Sequence, residues 1–427
     1  MGRHVLKRVW VSEPTDVWAA AGPARDLDEP LAGLVRGIID DVRQHGDAAV
    51  REYSQKFDDW SPDSFLLSPE DRSRAVERVP RSMTDDFVRT QERVRRFAEA
   101  ELAALGELDI ETDPGVRAGH VRVPVDSVGV YVPPVSDPAS AAAVAAVVTA
   151  RAAGVPRVVA CTPPVDGEIP LVPVAALQIA GADEIYVLGG VPAVTALGLG
   201  TETIGAVDLV AGPGGADISE AKRQLSRDVG IDLYSESSEI LILADDSADS
   251  LAITRELLAP LRFDGPAMVV LVSTSERLAG AVMDEVSAEL EREPADGALA
   301  GRWEAGGEVY VVGSVPDAVE LVNELAPALV GVFMAGARSL LGRLRNVGLV
   351  VLGDVRGVPP QGPTLDAIRL LPTGRGARYT SGLWVGKFVK TVSFRELTTD
   401  STAGAPARSG RTTRGTRRAA KAAGPKT

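Results

Sequence analysis

The stretch Ala206–Glu239 holds the residues whose types and spacing are best suited to chemistry. A short apolar strand, Val207–Ala211, runs into a Gly-Pro-Gly turn at residues 212–214, and a helix follows at about Ala216–Val229. Such a corner presents free backbone N–H groups and the positive end of a helix to an anionic or nucleotide ligand. The spacing is not GxGxxG, so the dinucleotide fingerprint is absent, and an ordinary strand–helix corner is the alternative interpretation.

The same stretch also contains the candidates for proton transfer. Lys222 lies one to two turns into the helix, either as a structural lysine or close to a ligand, and Ser238 and Glu239 begin a buried strand. The histidines, at positions 4, 45 and 120, form no HxxH or HxxxH pair. Cys161 lies in the middle of an apolar strand, where a buried, inert thiol is favoured over a nucleophile.

Short apolar runs alternate with helical patterns from residue 121 onward, which is typical of a parallel sheet covered on both faces. The first block ends with the strand Ile240–Ala244, and the second runs from Met268–Val272 to Leu349–Leu352. Two helices, Leu31–Phe57 and Arg81–Leu105, precede both blocks. We therefore predict two α/β domains with a cleft between them, where ligands commonly bind.

The predicted organisation has five parts. They are an N-terminal arm (1–30), a first α/β domain (31–125 plus 240–375), a second, Rossmann-like domain (126–239), a C-terminal segment (376–399) and a disordered basic tail (400–427). The tail contains no acidic residue after Asp400 and is of low complexity. It is either a solvated extension or an electrostatic handle for an acidic partner or nucleic acid.

Charge and composition exclude several classes of protein. The net charge of −14 indicates that the body repels nucleic acid and acidic membranes, the basic tail excepted. The single cysteine rules out an internal disulfide and fits a reducing compartment. The first residues lack the apolar core of a signal peptide, and the longest apolar run, Ala139–Val148, is too short to span a bilayer. A cytoplasmic location is expected.

Five ordered segments between residues 30 and 395 resemble the histidinol dehydrogenase family. They are Val42–Asp58 (VRQHGDAAVREYSQKFD), Val123–Pro133 (VPVDSVGVYVP), the run VVACTPP, GADEIYVLGG and GLGTETI within residues 158–204, the part VDLVAGPGG to EAKRQL of the opening stretch, and Leu370–Phe394 (LLPTGRGARYTSGLWVGKFVKTVSF). The resemblance implies an α/β fold of two incomplete Rossmann-like domains with parallel sheets, to which we add a helical N-terminal arm and the basic tail. It also implies a homodimer, zinc, NAD and a four-electron oxidation of an amino alcohol to an amino acid by way of the aldehyde.

The chain departs from the family at the positions that carry its chemistry. The family's catalytic Glu-His pair falls on Ala328 and Leu329, and neither side chain can move a proton. The family's zinc ligands fall on Pro260, Phe263 and Gly362, and the tail has no histidine for the fourth position. Zinc needs about four nitrogen, sulfur or oxygen ligands, so zinc is not expected.

The positions that contact NAD in the family are partly kept. Tyr131 retains the family's tyrosine, whereas the family's Gln is Pro192 and its Asn is Gly215. Ser238 retains the family's substrate-contacting serine, so the resemblance implies that the chain binds a small-molecule substrate. The predicted cofactor-binding residues are Tyr131, Gly212, Gly214 and Gly215, and the predicted substrate-binding residue is Ser238.

The joint loss of the proton-moving and metal-binding positions favours a divergent, zinc-free paralogue. In this hypothesis histidinol oxidation is lost or repurposed, in the specialised metabolism of amino-acid derivatives. One alternative is an NAD-dependent oxidoreductase of an amino alcohol or related amino acid derivative, with Glu239 or Lys222 as catalytic residue, because hydride transfer needs chiefly cofactor placement and one base. A second alternative is a non-catalytic scaffold or partner subunit.

Overall fold

The computed structural model describes residues 8–10, 29–133, 138–232, 238–262, 267–292, 298–353 and 374–397, of which residues 8–10, 138–143 and 238 are described by their backbone alone. The strands are β1 (Arg8–Trp10), β2 (Leu108–Asp113), β3 (Val116–Pro124), β4 (Ser127–Tyr131), β5 (Arg157–Thr162), β6 (Glu184–Val187), β7 (Leu209–Ala211), β8 (Gly230–Ile231), β9 (Ser238–Ala244), β10 (Ala267–Ser273), β11 (Gly307–Val311), β12 (Leu329–Phe333), β13 (Leu349–Leu352) and β14 (Val389–Leu397). The helices are α1 (Glu29–His45), α2 (Asp47–Asp58), α3 (Pro69–Arg78), α4 (Arg81–Ala104), α5 (Pro138–Ala152), α6 (Leu171–Ala180), α7 (Gly190–Leu199), α8 (Ala216–Leu225), α9 (Ser250–Leu258), α10 (Glu276–Arg292), α11 (Ala298–Gly306) and α12 (Val315–Leu325).

Two parallel sheets confirm the predicted α/β fold. The five-stranded sheet has the order β6-β5-β4-β7-β8, and the six-stranded sheet has the order β1-β11-β10-β9-β12-β13. In each sheet the first strand of the α/β alternation is central, and later strands add on one side and then on the other, as in doubly wound folds. The strands are runs of Val, Ile and Leu because helices cover both faces.

The helices α5 and α6 have apolar side chains on every face rather than on one stripe. Such helices are buried on all sides, and the described residues Val144–Val148 of α5 and Val174–Leu177 of α6 are inaccessible to solvent. At 15 residues α5 is too short for a membrane helix. Among the described residues, no helix is both long and apolar enough to cross a bilayer. The most apolar run in the sequence is therefore part of the core of the five-stranded sheet.

The helices that precede the strands pack on the five-stranded sheet. Val35 and Ile38 of α1 share a buried cluster with Leu197 of α7, and Val94 of α4 packs in the cluster formed by α5 and α6. We predicted that residues 31–125 form one domain with residues 240–375, whereas these helices pack on the five-stranded sheet. An amphipathic pattern shows that one face of a helix is buried but does not identify the sheet that covers it.

Several predicted boundaries differ from the structure. The helical stretch predicted over Leu31–Phe57 forms two helices, α1 and α2, on either side of the interrupting Gly46, and the Glu202 carboxylate accepts the N–H of Asp47 (2.8 Å) at the start of α2. The helix predicted to reach Val229 ends at Leu225, where a turn follows. Part of the predicted N-terminal arm forms β1 beside β11.

A second compact unit comprises residues 106–123 and the described residues from 391 to 397. Its described part contains β2 and β3, which pair antiparallel, and most of β14, which lies on the other side of β3. The sequence did not predict this sheet. All six side chains of β2 are exposed, so the alternation of apolar and polar residues that marks a half-buried strand has no buried face to produce it.

Candidate functional site

The carboxyl edge of the five-stranded sheet brings together the residues predicted to bind a cofactor. Tyr131 ends the central strand β4 and is buried, and its hydroxyl oxygen accepts the N–H of Gly190 at the start of α7 (3.3 Å). Burial is the main cause that raises the pKa of the Tyr131 hydroxyl, so it remains a neutral hydrogen-bonding group. Ligands of doubly wound sheets bind at this edge, beside the central strand.

The turn after β7 packs directly against Tyr131. Gly212 has φ +119°, and a Cβ atom there would lie 2.1 Å from the carbonyl oxygen of Tyr131. Both the conformation and the contact require glycine at this position. The turn therefore brings the predicted cofactor residues Tyr131 and Gly212 into contact.

A buried ion pair holds this turn in place. Lys222 of α8 donates from Nζ to Asp232 Oδ1 (2.6 Å) and to the carbonyl oxygen of Gly212 (2.6 Å), and the Gly212 N–H donates to Asp232 Oδ2 (2.9 Å). The side chains of Lys222 and Asp232 are 2% and 0% exposed. Lys222 thus lies neither on the helix surface nor at an open site, and these contacts give it a structural role in the turn. Sequence reasoning missed Asp232, for which the only signal was a lone carboxylate after a two-residue strand.

Two helices begin at this edge without a side-chain cap. Gly189 is the N-cap of α7 and Gly215 is the N-cap of α8, and neither offers a side-chain acceptor to the first turn. The predicted residues Gly214 and Gly215 are partly or fully exposed there. Uncapped first-turn N–H groups can hydrogen-bond a phosphate or another anion.

The positions that the resemblance assigns to the family's catalytic pair, Ala328 and Leu329, lie at a different edge. Leu329 opens β12 and pairs in register with Ile240 of β9, which places Ala328 beside Glu239 at the amino-terminal end of the six-stranded sheet. Ala328 is 1% exposed. Glu239 is also buried and accepts the N–H of Gly374 at Oε1 (2.6 Å).

The Glu239 carboxyl group is the one proton-transfer candidate that remains beside these positions. Burial raises its pKa, and the backbone N–H groups of Gly374 and Ala328 oppose that shift. Its Oε2 is buried and has no hydrogen-bond partner within the described part of the chain. A carboxylate with one oxygen engaged and the other unsatisfied is suited to accept a proton from a ligand.

The other predicted positions contribute little chemistry. Pro260 is half-buried in a 3-10 turn after α9, and only the backbone of Ser238 is described. Phe263 and Gly362 lie outside the described residues. Where the structure describes the chain, it brings no three His, Cys, Asp or Glu side chains into an arrangement that could hold a metal ion.

The two described histidines are exposed or half-buried, and the cysteine is buried, as predicted. His45 is exposed at the end of α1, His120 is half-buried in β3, and His4 lies outside the described residues. Cys161 is buried in β5, and burial raises the pKa of its thiol well above its usual range. The thiol is therefore protonated and a poor nucleophile.

Comparison with known proteins agrees with this arrangement. Residues 24–409 match the family model described as histidinol dehydrogenase. The chain belongs to the histidinol dehydrogenase family. It is 40% identical over 379 residues to the "Histidinol dehydrogenase homolog" of Shouchella clausii, covering 89% of each chain, and 39% identical over 400 residues to "Histidinol dehydrogenase homolog 1" of Mesorhizobium japonicum, covering 93% of this chain and 80% of the relative.

A solved structure supports the same fold. The crystal structure of histidinol dehydrogenase from Elizabethkingia anophelis superposes with a TM-score of 0.84 at 23% sequence identity, covering 93% of this chain and 92% of that chain. At this identity the likeness shows the shared histidinol dehydrogenase fold. Function has to be argued from the side chains of this chain.

We predict that Lys222→Met destabilises the protein by about 3–5 kcal/mol, because Asp232 is left buried without its counter-ion. Chemical denaturation followed by circular dichroism measures the change. The control is Arg43→Met, which breaks the ion pair with Asp228, in which both side chains are exposed, and is expected to cost about 1 kcal/mol or less. Equal losses for the two variants would contradict the role of the buried pair.

Proposed function

We propose that this chain is a divergent, zinc-free member of the histidinol dehydrogenase family in which histidinol oxidation has been lost or repurposed, in the metabolism of amino-acid derivatives. The observation on which this depends is the pair Ala328 and Leu329 at the family's Glu-His position. Ala328 is buried beside Glu239 and has no acid or base in its side chain. A proton cannot be moved by either residue.

The residues at the family's zinc positions do not fit a zinc ion. Pro260, Phe263 and Gly362 have no nitrogen, oxygen or sulfur atom in their side chains. Zinc is held by about four such ligands, most often from Cys, His, Asp and Glu. We therefore assign no step of any reaction to a metal at these positions.

The carboxyl edge of the five-stranded sheet does fit NAD. The glycine turn at Gly212 has no side chain between the backbone and a ligand, and Gly214 and Gly215 lead into an uncapped helix. Tyr131 is buried at this edge, where its hydroxyl oxygen accepts the N–H of Gly190. When bound, NAD would accept a hydride from a substrate. The chain's own residues would hold its phosphates at the helix ends and exclude water beside Tyr131.

A homodimer is part of the proposal. The three-stranded sheet of the second unit exposes apolar side chains, and exposed apolar patches support association with another chain. The exposed apolar residues of the sheet are Leu108, Ile110, Val121, Val392, Phe394 and Leu397.

A cytoplasmic location is also part of the proposal, and the lone cysteine supports a reducing compartment. The basic tail, residues 400–427, remains a candidate contact for an acidic partner.

A second candidate function is an NAD-dependent oxidoreductase of an amino alcohol or related amino acid derivative, with Glu239 as its base. The buried, unsatisfied Oε2 of Glu239 among the described residues favours it. A carboxylate of raised pKa in a site poor in water is a stronger base than an exposed one. This function needs no zinc.

The zinc-free proposal predicts that purified protein dialysed against zinc contains far less than one zinc ion per chain by elemental analysis. L-histidinol with NAD is expected to give no NADH, because neither Ala328 nor Leu329 can take a proton. A relative that has the Glu-His pair serves as the positive control. One bound zinc per chain, or turnover of L-histidinol, would disprove the proposal.

NAD binding is expected to depend on Tyr131. In Tyr131→Phe the N–H of Gly190 loses its acceptor, so the start of α7 is less well ordered and the affinity for NAD falls, by about tenfold for a lost hydrogen bond worth about 1–1.5 kcal/mol. Isothermal titration calorimetry measures the affinity. The control is Tyr186→Phe, a buried tyrosine whose hydroxyl donates to Glu184 at the other end of β6. Equal affinities for both variants and the wild type would argue against this site.

If the second candidate function is correct, a screen of amino alcohols detects NAD reduction, and Glu239→Gln lowers kcat by about 100-fold or more with unchanged NAD affinity. The wild-type rate is expected to fall with decreasing pH above the usual range of carboxyl groups, because the raised pKa protonates the base. Glu324→Gln, at a nearby half-buried carboxylate beside Arg378, is the control. Full activity of Glu239→Gln would exclude Glu239 as the base.

A further inference from the structure

Asp58 is a carboxylate that α2 delivers to the carboxyl edge of the five-stranded sheet. It is the last residue of α2, whose first turn is fixed by the bond from Asp47 to Glu202. Two residues later the indole Nε1 of Trp60 donates to the carbonyl oxygen of Val187 in β6 (2.9 Å). Because both ends of α2 are anchored, the position of Asp58 is set by the fold.

The Asp58 carboxylate lies against the turn that follows β6. A Cβ atom on Gly189 would be 2.9 Å from Asp58 Oδ2 and 2.5 Å from Cβ of Pro163. Asp58 is half-buried, and this burial raises the pKa of its carboxyl group. Tyr131 lies at the same edge, where its hydroxyl oxygen accepts the N–H of Gly190, the residue after Gly189.

The strand order locates this carboxylate relative to a dinucleotide. With β4 as the first strand, β5 and β6 are the second and third strands of the order 3-2-1-4-5. In dinucleotide-binding sheets an acidic residue, about 20 residues beyond the first turn, hydrogen-bonds the 2′-hydroxyl of the adenosine ribose. In this chain Pro163 and Pro164 follow β5, and the carboxylates further along that loop, Asp166 and Glu168, are exposed. Asp58, beside Pro163, supplies one from another helix.

We propose that Asp58 makes the site selective for NAD over NADP. It accepts a hydrogen bond from the ribose 2′-hydroxyl and repels a 2′-phosphate by its charge. This inference rests on the NAD binding proposed above.

The nearby cations are engaged elsewhere. Arg51 donates to the carbonyl oxygens of Pro62 and Asp63 (2.7 and 2.9 Å), and Lys56 lies over the ring of Phe57 (5.4 Å to the centroid). Within the described ranges, no cation forms an ion pair with Asp58. Among the described residues, its negative charge is therefore not neutralised by a paired cation. Such a cation could otherwise bind a 2′-phosphate.

A purely structural role would give a different result. Asp58 lies close to the N-terminus of α7, where a negative charge stabilises a helix. If that were its whole role, Asp58→Asn would lower the melting temperature and change the affinities for NAD and NADP by the same factor. A role in selectivity changes the ratio of the two affinities.

The test is a calorimetric titration of the full chain with NAD and with NADP, for wild type, Asp58→Asn and Asp59→Asn. Wild type is expected to bind NAD at least about tenfold more tightly than NADP, and Asp58→Asn is expected to reduce that ratio about tenfold, chiefly by tighter binding of NADP. Asp59→Asn is the matched control, because it removes the same charge one residue away. Asp59 is exposed and has a left-handed φ of 47°, which asparagine also adopts.

The outcomes separate this inference from the proposed function. NAD binding with a ratio that Asp58→Asn leaves unchanged would overturn the inference and leave the proposed NAD site standing. A ratio that changes equally in Asp59→Asn would show a general charge effect and would also overturn it. Binding of neither dinucleotide by the wild type would overturn both.

Discussion

The ion pair between Lys222 and Asp232 is the constraint on which the carboxyl edge of the five-stranded sheet depends. Its charges are fully buried, and taking two ions out of water is costly unless each is well paired and hydrogen-bonded. Here the remaining hydrogen bonds go to the N–H and carbonyl groups of Gly212. The hydrogen bonds of the pair are therefore satisfied only when the glycine turn has this conformation. In this conformation the backbone of Gly212 lies close to the backbone of Tyr131.

The two sheets differ in their functional groups. The five-stranded sheet has the glycine turn, the buried tyrosine and two uncapped helix starts, and uncapped helix starts can hydrogen-bond an anionic ligand. The six-stranded sheet has hydrocarbon side chains at Ala328 and Leu329, the positions that the resemblance assigns to the family's catalytic pair. In the proposed function, ligand binding and catalysis thus involve different sheets, which agrees with the general independence of fold and function.

Much of the fold could be predicted from the sequence, because strands buried on both faces are uninterrupted apolar runs. The strand Leu349–Leu352 has both predicted ends, and the strand predicted over Val207–Ala211 ends at Ala211 as predicted. The three-stranded sheet was missed because its strands are short and largely exposed, so their periodicity is weak. The partner sheet of α1 was also not predictable, since side-chain periodicity identifies a buried face and not its neighbour.

The candidate site was predictable where glycine marks it and not where distant segments meet. Gly212 and Tyr131 followed from a turn motif and from a resemblance, whereas Asp58 and Asp232 have no local signal. Asp232 is recognised only through its contact with Lys222, and Asp58 only because α2 is tied to β6 through Trp60. Contacts of this kind depend on tertiary packing, which a single sequence does not reveal.

The residues at positions 328 and 329 are compatible with a stable fold because of where they lie. Ala328 and Leu329 are at the start of a strand, beside a sheet interior that is apolar. Alanine and leucine need no hydrogen-bond partner there, whereas a buried polar group does. Glu239 remains as the exception, since its carboxylate is buried with one unsatisfied oxygen within the described residues. Because such a group is costly to retain, its presence supports the proposal that Glu239 contacts a ligand.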